Sequence, residues 1–537
     1  MGKMFENWKW ALLVMSIPTW IACTKTSASS SLTSFESVGG GSTDSLSDVT
    51  LEDINTVSLS GGSATLNLTP SSDYLLIVNS DRSGSNMTVQ LSQGATTSIS
   101  SKKSSIAALN FEPSLSAQDK LDLEMRNLEN TLYTSETPLD ASNNPNVAAL
   151  QPLLSVGSTR SFKSLSSLSS ISNYDTFDAT LVYSSSSLYV YIDNRNLTSV
   201  SQTSIDSLAT DFEDIAVPVE HDLFGFESDV DDDGHVTILM TQVVNGLSSS
   251  GGLITGYFFP GDLFAASSSN PASNEMEIFY TLVPDPAGDH GIPISESFTV
   301  GNVLPGVLAH EFQHMISYNQ KVFLQAGSTE EPWLNEGLSH FAEDITGFGN
   351  ENPARERIFL ANPSQISIAP SSSPSLGQRG GAYLFVRYLY EQSSNGTQFI
   401  QHLYNSNNTG TANIEHAFAG TSPSLDQFNE LMNQWAIALA LSETGLTSDA
   451  RYSYETRTIN SQTGNYMGVC IRCDAQDGRG TVLSGPTLQR ITSFPTSSTV
   501  GSASSQIYRL VAPSGSIQLS TGSSSAQASL IELTPRP

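Results

Sequence analysis

Cysteine, basic charge and long apolar runs are all scarce in this chain of 537 residues. Its 23 lysine and arginine residues are outnumbered by 53 acidic residues, which gives a net charge of −30. Such a charge argues against nucleic acid as a partner, because the phosphates would be repelled. No tandem repeat is visible, and only the amino terminus has an apolar run suited to membrane insertion.

That run, residues 10–21, is too short to span a bilayer and has the length of a signal-peptide core. It ends in Trp20-Ile21-Ala22-Cys23, which resembles a bacterial lipoprotein processing site, although Trp20 stands where leucine is usual. The resemblance implies cleavage before Cys23 and a lipid on its thiol. We therefore expect an exported protein held at the outer membrane or cell surface by this anchor. Ordinary secretion is the alternative.

One helical turn, His310-Glu311-Phe312-Gln313-His314, carries the chemistry of a metal site. The surrounding pattern predicts a helix over residues 303–319. Histidines at i and i+4 share one helix face and can bind the same ion. Glu311 then faces the same cleft, where it can accept a proton from water.

A second predicted helix begins near Trp333 and contains Glu336, which can return to the same cleft. Two histidines and a carboxylate leave one tetrahedral position of zinc open. An open position is typical of hydrolytic sites, whereas structural zinc sites more often use cysteine.

The motif HEFQH followed by WLNEGLSHFAED resembles the gluzincin metallopeptidases, and most closely the hyicolysin-type family of secreted bacterial enzymes. This resemblance implies zinc ligands at His310, His314 and Glu336, with Glu311 as the general base. It is strong over residues 300–345 and looser over 170–445. Membrane alanyl aminopeptidases share a similar Asn-Glu-Gly segment. The chain lacks their Gly-x-Met-Glu-Asn stretch upstream of His310, which favours an endopeptidase acting on protein or peptide.

The group that stabilises the oxyanion is less clearly indicated. Gluzincins use a tyrosine or histidine from a later helix, and here a helix is predicted to begin after the pair Gly380-Gly381. Tyr383 at its start is one candidate, with a packed core aromatic as the alternative. His340 is another, because it lies four residues after Glu336 on the same helix face. It could equally be a hydrogen-bonding partner behind the ligands.

Alternating acidic residues at Asp229, Asp231 and Asp233, followed by Gly234, match the first half of a calcium loop. The full EF-hand pattern fails, because Met240 occupies the position of its final glutamate. Calcium here would stabilise the fold, and a solvated acidic turn is the alternative.

The remaining cysteines, Cys470 and Cys473, favour a small local disulfide over a redox motif or a zinc site. Short strands before residue 300 and helices from 300 to 442 predict an α+β fold, a gluzincin-like catalytic domain flanked by small β domains. The expected segments are a signal peptide (1–22), a lipidated cysteine with a Ser/Gly-rich tether (23–50), a small β domain (51–110), a helix and linker (111–170), a zinc metallopeptidase domain (171–450) and a carboxy-terminal β module (451–537).

Three alternatives stay open on the sequence alone. The amphipathic helix predicted over residues 117–132 could be a prosegment or the entry to the catalytic domain. The whole molecule could be a catalytically silent surface-binding protein that keeps a peptidase fold. It could also be a zinc amidase that acts on the cell wall.

Overall fold

A computed structural model places most of the chain after the predicted tether. It describes residues 46–82, 84–93, 117–135, 139, 153–167, 170–248, 252–372, 374–419, 427–477, 480–513 and 515–536. All of them belong to one compact unit, Thr43–Pro537. The predicted signal peptide and Cys23 lie outside the described residues, so the lipid anchor stays a prediction.

The strands are mostly short, and several alternate buried and exposed side chains, as sheets with one solvated face do. They are β1 (Val49–Thr56), β2 (Ser63–Leu68), β3 (Asp73–Asn79), β4 (Met87–Gln93), β5 (Thr159–Leu165), β6 (Tyr174–Ser184), β7 (Leu188–Asp193), β8 (Val236–Met240), β9 (Gly256–Phe258), β10 (Ile278–Thr281), β11 (Thr458–Ile459), β12 (Tyr466–Met467), β13 (Gln489–Ile491), β14 (Thr496–Val500), β15 (Ser505–Leu510), β16 (Gly515–Ser520) and β17 (Gln527–Pro535).

The helices are concentrated between residues 296 and 441. They are α1 (Ala117–Ser135), α2 (Gln202–Asp211), α3 (Val217–Phe224), α4 (Gln242–Leu247), α5 (Glu296–Phe298), α6 (Leu304–Tyr318), α7 (Pro332–Ile345), α8 (Asn352–Ala361), α9 (Leu376–Gln392), α10 (Gly396–Tyr404), α11 (Gly410–Ala419) and α12 (Phe428–Leu441). Within the described part of the chain, none of them has both the length and the apolar character needed to traverse a bilayer.

The two ends of the chain form one β sandwich. One sheet has the order β1-β17-β3-β15-β13 and the other has the order β14-β4-β16-β2, so each mixes early and late strands. Leu66, Leu76, Val89 and Ile517 fill the core of the sandwich. The β segments predicted at 51–110 and 451–537 therefore pair with each other and are not separate modules. Sequence patterns detect several of these strands, but pairing across more than 400 residues depends on tertiary burial.

A mixed six-stranded sheet of order β5-β6-β7-β8-β10-β9 lies against α6. Strand β5 falls in the segment predicted as helix and linker, and it pairs antiparallel with β6. Strand β9 pairs antiparallel with β10 and forms one edge of this sheet. Sheets and helices together agree with the predicted α+β class.

Helix α9 corrects one prediction about local structure. It begins at Leu376 with a capping box at Ser375, so the Gly380-Gly381 pair lies inside the helix. A Cβ on Gly380 would lie 2.4 Å from the backbone carbonyl of Arg355 in α8. The glycines therefore permit close packing of two helices and do not mark a helix start.

Candidate metal centre and active site

Helix α6 presents the HEFQH turn from a buried position. Pro305 is tolerated in its first turn, where a backbone N–H would have no partner within the helix. Leu308, Phe312 and Met315 anchor the helix in the largest apolar core. A helix fixed in this way holds its histidines in a defined orientation.

Three predicted ligands meet at one point. The Nε2 atoms of His310 and His314 lie 3.2 Å apart. Glu336, on α7, brings one carboxylate oxygen to 3.5 Å from His310 Nε2 and the other to 3.6 Å from His314 Nε2. Both oxygens are buried, and among the described residues neither accepts a hydrogen bond. Two imidazole nitrogens and a carboxylate oxygen within 4.8 Å of one another could hold a metal ion.

Glu343 fixes the orientation of the first histidine. Its Oε1 atom accepts hydrogen bonds from His310 Nδ1 at 2.7 Å and from His340 Nδ1 at 2.8 Å. Despite its burial, attraction from His340 and His310 holds the pKa of Glu343 well below its usual range. An ionised carboxylate can only accept, so each Nδ1 must donate. His310 Nε2 is left as the atom directed at the metal position.

His340 therefore lies behind the ligands. It is fully buried, and its Nε2 atom has no hydrogen-bond partner within the described chain. Burial lowers the pKa of His340 to about 4 despite attraction from Glu343. A neutral ring that donates through Nδ1 has no proton on Nε2 to offer an oxyanion. This geometry favours the alternative of a partner behind the ligands.

The two ligand histidines have different electrostatic surroundings. Burial opposes the charged form of His310, but Glu336 and Glu343 raise its pKa to about 10. Burial holds the pKa of His314 well below its ordinary value. Because metal binds the neutral ring, a metal ion and a proton would compete at His310.

Glu311, the predicted general base, is buried on α6 next to the edge strand of the sheet. One carboxylate oxygen accepts a hydrogen bond of 3.0 Å from the backbone N–H of Phe258, on edge strand β9. Burial raises the pKa of Glu311 to about 7, although attraction from His310 acts in the opposite direction. A carboxyl group with a pKa near neutrality suits proton transfer.

The sequence did not identify Arg379 as a site residue. Its Nη1 atom lies 3.1 Å from Glu336 Oε2 and donates at 2.7 Å to Asp122 on α1. Arg379 lies about two and a half turns before Tyr388. The sequence drew attention to this helix through its aromatic residues. A charged residue beside two interior helix glycines was the available signal.

Tyr383 is buried in α9, among charged groups other than the three proposed metal ligands. After burial, the main influences on its pKa are Asp344, Glu356 and Arg387, and they hold it well above the ordinary value. Asp344 also pairs with Arg387 at 2.8 Å. This environment favours the packed-aromatic alternative for Tyr383.

The acidic loop at residues 229–235 gathers a different set of carboxylates from the predicted one. Asp229 and Asp231 meet Glu277, whose carboxylate is buried. Asp233 instead accepts a hydrogen bond from the backbone N–H of His235 at 2.8 Å. Glu277 lies 46 residues after Asp231, so the loop motif alone could not reveal it. Calcium binding stays a prediction.

Cys470 and Cys473 lie side by side, with their Cα atoms 6.0 Å apart. This separation is within the range that a disulfide spans. Both are far along the chain from the metal cluster, in the segment between α12 and β13.

Comparison with known proteins gives one similarity that bears on this site. The chain is 30% identical over 226 residues to the neutral metalloprotease ShpI of Staphylococcus hyicus. The aligned region covers 41% of this chain and 48% of that protein, so the chain spans about half the length of this relative. No family model matches the chain. The similarity, together with the His310–His314–Glu336 cluster, supports a relationship to metallopeptidases.

Proposed function

We propose that the protein is a zinc-dependent endopeptidase of the gluzincin type, most like the hyicolysin family. The observation that carries the proposal is the convergence of His310, His314 and Glu336 beside Glu311. The similarity to a neutral metalloprotease supports the same reading.

The donor set fits zinc better than magnesium or calcium. Imidazole nitrogen suits zinc, whereas the harder cations prefer oxygen ligands alone. When bound, zinc would make water a stronger acid and polarise a substrate carbonyl. His310 and His314 would hold the ion through Nε2, and Glu336 would complete the set.

In the proposed reaction Glu311 accepts a proton from the attacking water and returns it to the leaving amine. Its hydrogen bond from Phe258 orients the carboxylate toward edge strand β9. The Glu343 carboxylate keeps His310 in the tautomer that leaves Nε2 available.

The oxyanion needs a positive group or a donor. Tyr383 and His340 are the candidates from the resemblance, but their surroundings described above are unfavourable for that role. Arg379 is better placed, because its guanidinium reaches a ligand carboxylate. We therefore assign it the role of positioning Glu336 and stabilising negative charge nearby.

We also propose that the protein is exported and attached to a membrane through a lipid on Cys23. The substrates would then be proteins or peptides outside the cytoplasm. Mass spectrometry of the mature amino terminus tests this point: an unmodified terminus, or one starting at another residue, contradicts it. A Cys23→Ser variant should lose membrane association.

Casein cleavage with and without a zinc chelator tests the enzymatic proposal. Cleavage that stops with chelator and returns with added zinc supports a peptidase. Intact casein together with hydrolysis of cell-wall amides would favour the amidase alternative. Zinc binding without hydrolysis of either substrate would favour a silent surface-binding protein.

A further inference from the structure

The hairpin formed by β11 and β12 lies against α7, the helix that carries Glu336. Its two strands pair antiparallel, and residues 460–465 form the turn between them. The backbone N–H of Asn460 donates to the carbonyl of Asn465 at 2.9 Å, which closes this turn. The hairpin is thus a defined element, and the reaction proposed above gives it no role.

Two asparagine side chains of the hairpin reach carbonyl groups at the end of α7. Asn460 Nδ2 donates to the carbonyl of Thr346 at 3.2 Å, and Asn465 Nδ2 donates to that of Gly347 at 2.8 Å. Carbonyl groups at the end of a helix have no partner within the helix, so donors from elsewhere stabilise that end. The two asparagines therefore cap the last turn of α7 from outside.

The turn of the hairpin also fits closely around Gly347. This glycine has a φ angle of 81°. A Cβ built there would lie 2.5 Å from Thr463 Oγ1 and 2.9 Å from Asn460 Nδ2. The Asn460 carboxamide is itself fixed, because its Oδ1 accepts hydrogen bonds from the backbone N–H groups of Gln462 at 2.8 Å and Thr463 at 3.2 Å. The helix end therefore meets a donor whose own position is set by the turn.

A third contact holds the residue next to Glu343. The backbone N–H of Gly468 donates to Asp344 Oδ1 at 2.7 Å, and Asp344 Oδ2 accepts a hydrogen bond from Arg387 Nη1 at 2.8 Å. Asp344 directly follows Glu343, whose carboxylate accepts the hydrogen bond from His310. The hairpin thus holds the chain immediately after the group that orients a proposed metal ligand.

The segment after the hairpin is anchored to the rest of the molecule. Val469 and Ile471 are buried in the largest apolar core. Arg472 Nη2 donates to the carbonyls of Leu439 at 3.1 Å and Ala440 at 2.9 Å, near the end of α12. The hairpin can therefore act as a fixed support for α7, because its own position does not depend on that helix alone.

We propose that Asn460 and Asn465 are positioning residues for the metal centre, which hold the last turn of α7 so that Glu343 can orient His310. This inference rests on the proposed zinc site and adds residues that support it from behind. The physical reason is preorganisation. A ligand that is held in its binding orientation before the ion arrives loses less conformational freedom when the ion binds.

The variant Asn460→Ala/Asn465→Ala removes both caps and keeps every proposed ligand. Competition with a fluorescent zinc indicator should show about tenfold weaker zinc binding, since each lost hydrogen bond corresponds to a factor of a few. Asn433→Ala is the matched control, because it removes a buried asparagine that donates to Ser529 between α12 and the sandwich. The melting temperature of this control should fall while its zinc affinity stays at the wild-type level. Ser461→Ala, at an exposed position of the turn, should change neither quantity.

A double-mutant cycle with Glu343→Gln separates positioning from general destabilisation. If the asparagines act through Glu343, their removal should change the zinc affinity of the Glu343→Gln protein by no more than about twofold, the usual error of additivity. A merely structural role would weaken zinc binding by the same factor with and without Glu343→Gln.

The outcomes are distinct. Wild-type zinc affinity in Asn460→Ala/Asn465→Ala, or an equal loss with and without Glu343→Gln, would overturn the positioning role and leave the peptidase proposal intact. The expected zinc affinities without casein cleavage by the wild-type chain would support the positioning role and refute the peptidase. A wild-type chain that binds no zinc would refute both. If the double variant does not fold, Asn465→Ala at its partly exposed position replaces it, with an expected loss of about threefold.

Discussion

At the scale of single residues, the site depends on carboxylates with distinct surroundings. Glu311, Glu336 and Glu343 are all buried within one cluster, yet their pKa values move in different directions. The pKa of Glu311 is raised because burial outweighs attraction from His310. Cationic neighbours hold the pKa values of the other two well below the ordinary range. One group is thus suited to exchange protons and two are suited to remain charged.

Glu311→Gln should lower casein cleavage by about 10²- to 10⁴-fold, since a general base contributes on this order. Zinc content should stay at the wild-type level, because Glu311 is not among the three proposed ligands. Enzyme assays and elemental analysis of the same preparation measure both. Glu455→Gln, at an exposed position, is the matched control. Substantial activity in Glu311→Gln would remove Glu311 from the mechanism.

Glu343→Gln should weaken zinc binding by about 10- to 100-fold, the range seen when a partner of a ligand histidine is changed. The amide still accepts a hydrogen bond, but it lacks the charge that orients both histidines. Competition with a fluorescent zinc indicator gives the affinity. Glu351→Gln, at a partly exposed carboxylate just before α8, should bind zinc normally. Equal affinities in the two variants would count against the positioning role.

At the scale of secondary-structure elements, close packing between neighbouring helices limits which substitutions the chain can tolerate. Helix α9 packs against both α7 and α8. Its Gly380 and Gly381 lie at the contact with α8, and Gly337 of α7 lies against Ala382 of α9. The loop at residues 229–235 turns through Asp232 and Gly234, which have positive φ angles of 56° and 71°. Both features depend on backbone geometry, which the amino-acid pattern alone indicates only in part.

Gly380→Ala should destabilise the protein by about 1–3 kcal/mol, the usual range for overpacking. Alanine normally favours a helix interior, but here its Cβ would meet the Arg355 backbone. Gly301→Ala is the control, since no atom lies within 4 Å of a Cβ built there and its φ is not in the positive region. Denaturant unfolding measures both variants. A stabilised Gly380→Ala protein would mean that α8 and α9 are not packed in this way.

The carboxyl groups of the acidic loop should make the stability of the protein depend on pH. Burial raises the pKa of Asp231 to about 7 and that of Glu277 to about 8. The pKa values of these two groups are therefore higher in the folded protein than in the unfolded chain. Their contribution to stability is complete below about pH 4 and is lost as the pH rises to about 8. Calcium should reverse this loss by pairing with the ionised carboxylates.

Calcium added to chelator-treated protein should therefore raise the melting temperature more at pH 8 than at pH 5. The increase should shrink in an Asp231→Asn variant. Differential scanning calorimetry measures the melting temperatures, with magnesium as the comparison ion. An unchanged melting temperature at pH 8 would refute the calcium loop.

At the scale of the whole molecule, the sandwich and the helical part share a core. Leu75, Ile507 and Ile531 of the sandwich pack in one apolar cluster with Ala436 and Ala440 of α12. An ion pair between Arg82 and Glu331 adds a polar link from the sandwich to the start of α7. Both ends of the chain therefore support the part that carries the metal ligands.

Ile531→Ala should shift the whole thermal transition, because a single core extends from the sandwich to α12. The free energy of unfolding should fall by about 2–5 kcal/mol, as it does when other core side chains are truncated. Calorimetry and zinc retention during heating report on the two parts independently. Ser524→Ala, at an exposed position of the same region, is the control. Two transitions, of which only one moves, would show that the sandwich unfolds on its own.

The local part of this structure was predictable from the sequence. The helices that carry His310, His314 and Glu336 appear close to their predicted positions, because their spacing and apolar periodicity are encoded within a few turns. Several of the strands were also predicted, since alternation is a local signal. The α+β class follows from these elements together.

The amino-acid order alone determined which groups could bind a metal and which helices would present them. Only the tertiary structure decided that Glu343 orients His310, that Glu277 replaces Asp233 in the acidic cluster, and that Arg379 joins Asp122 of α1 to Glu336. It also decided that the first and last strands share sheets. These contacts join residues distant in the chain, and they form because burial selects among many partners that local periodicity does not distinguish.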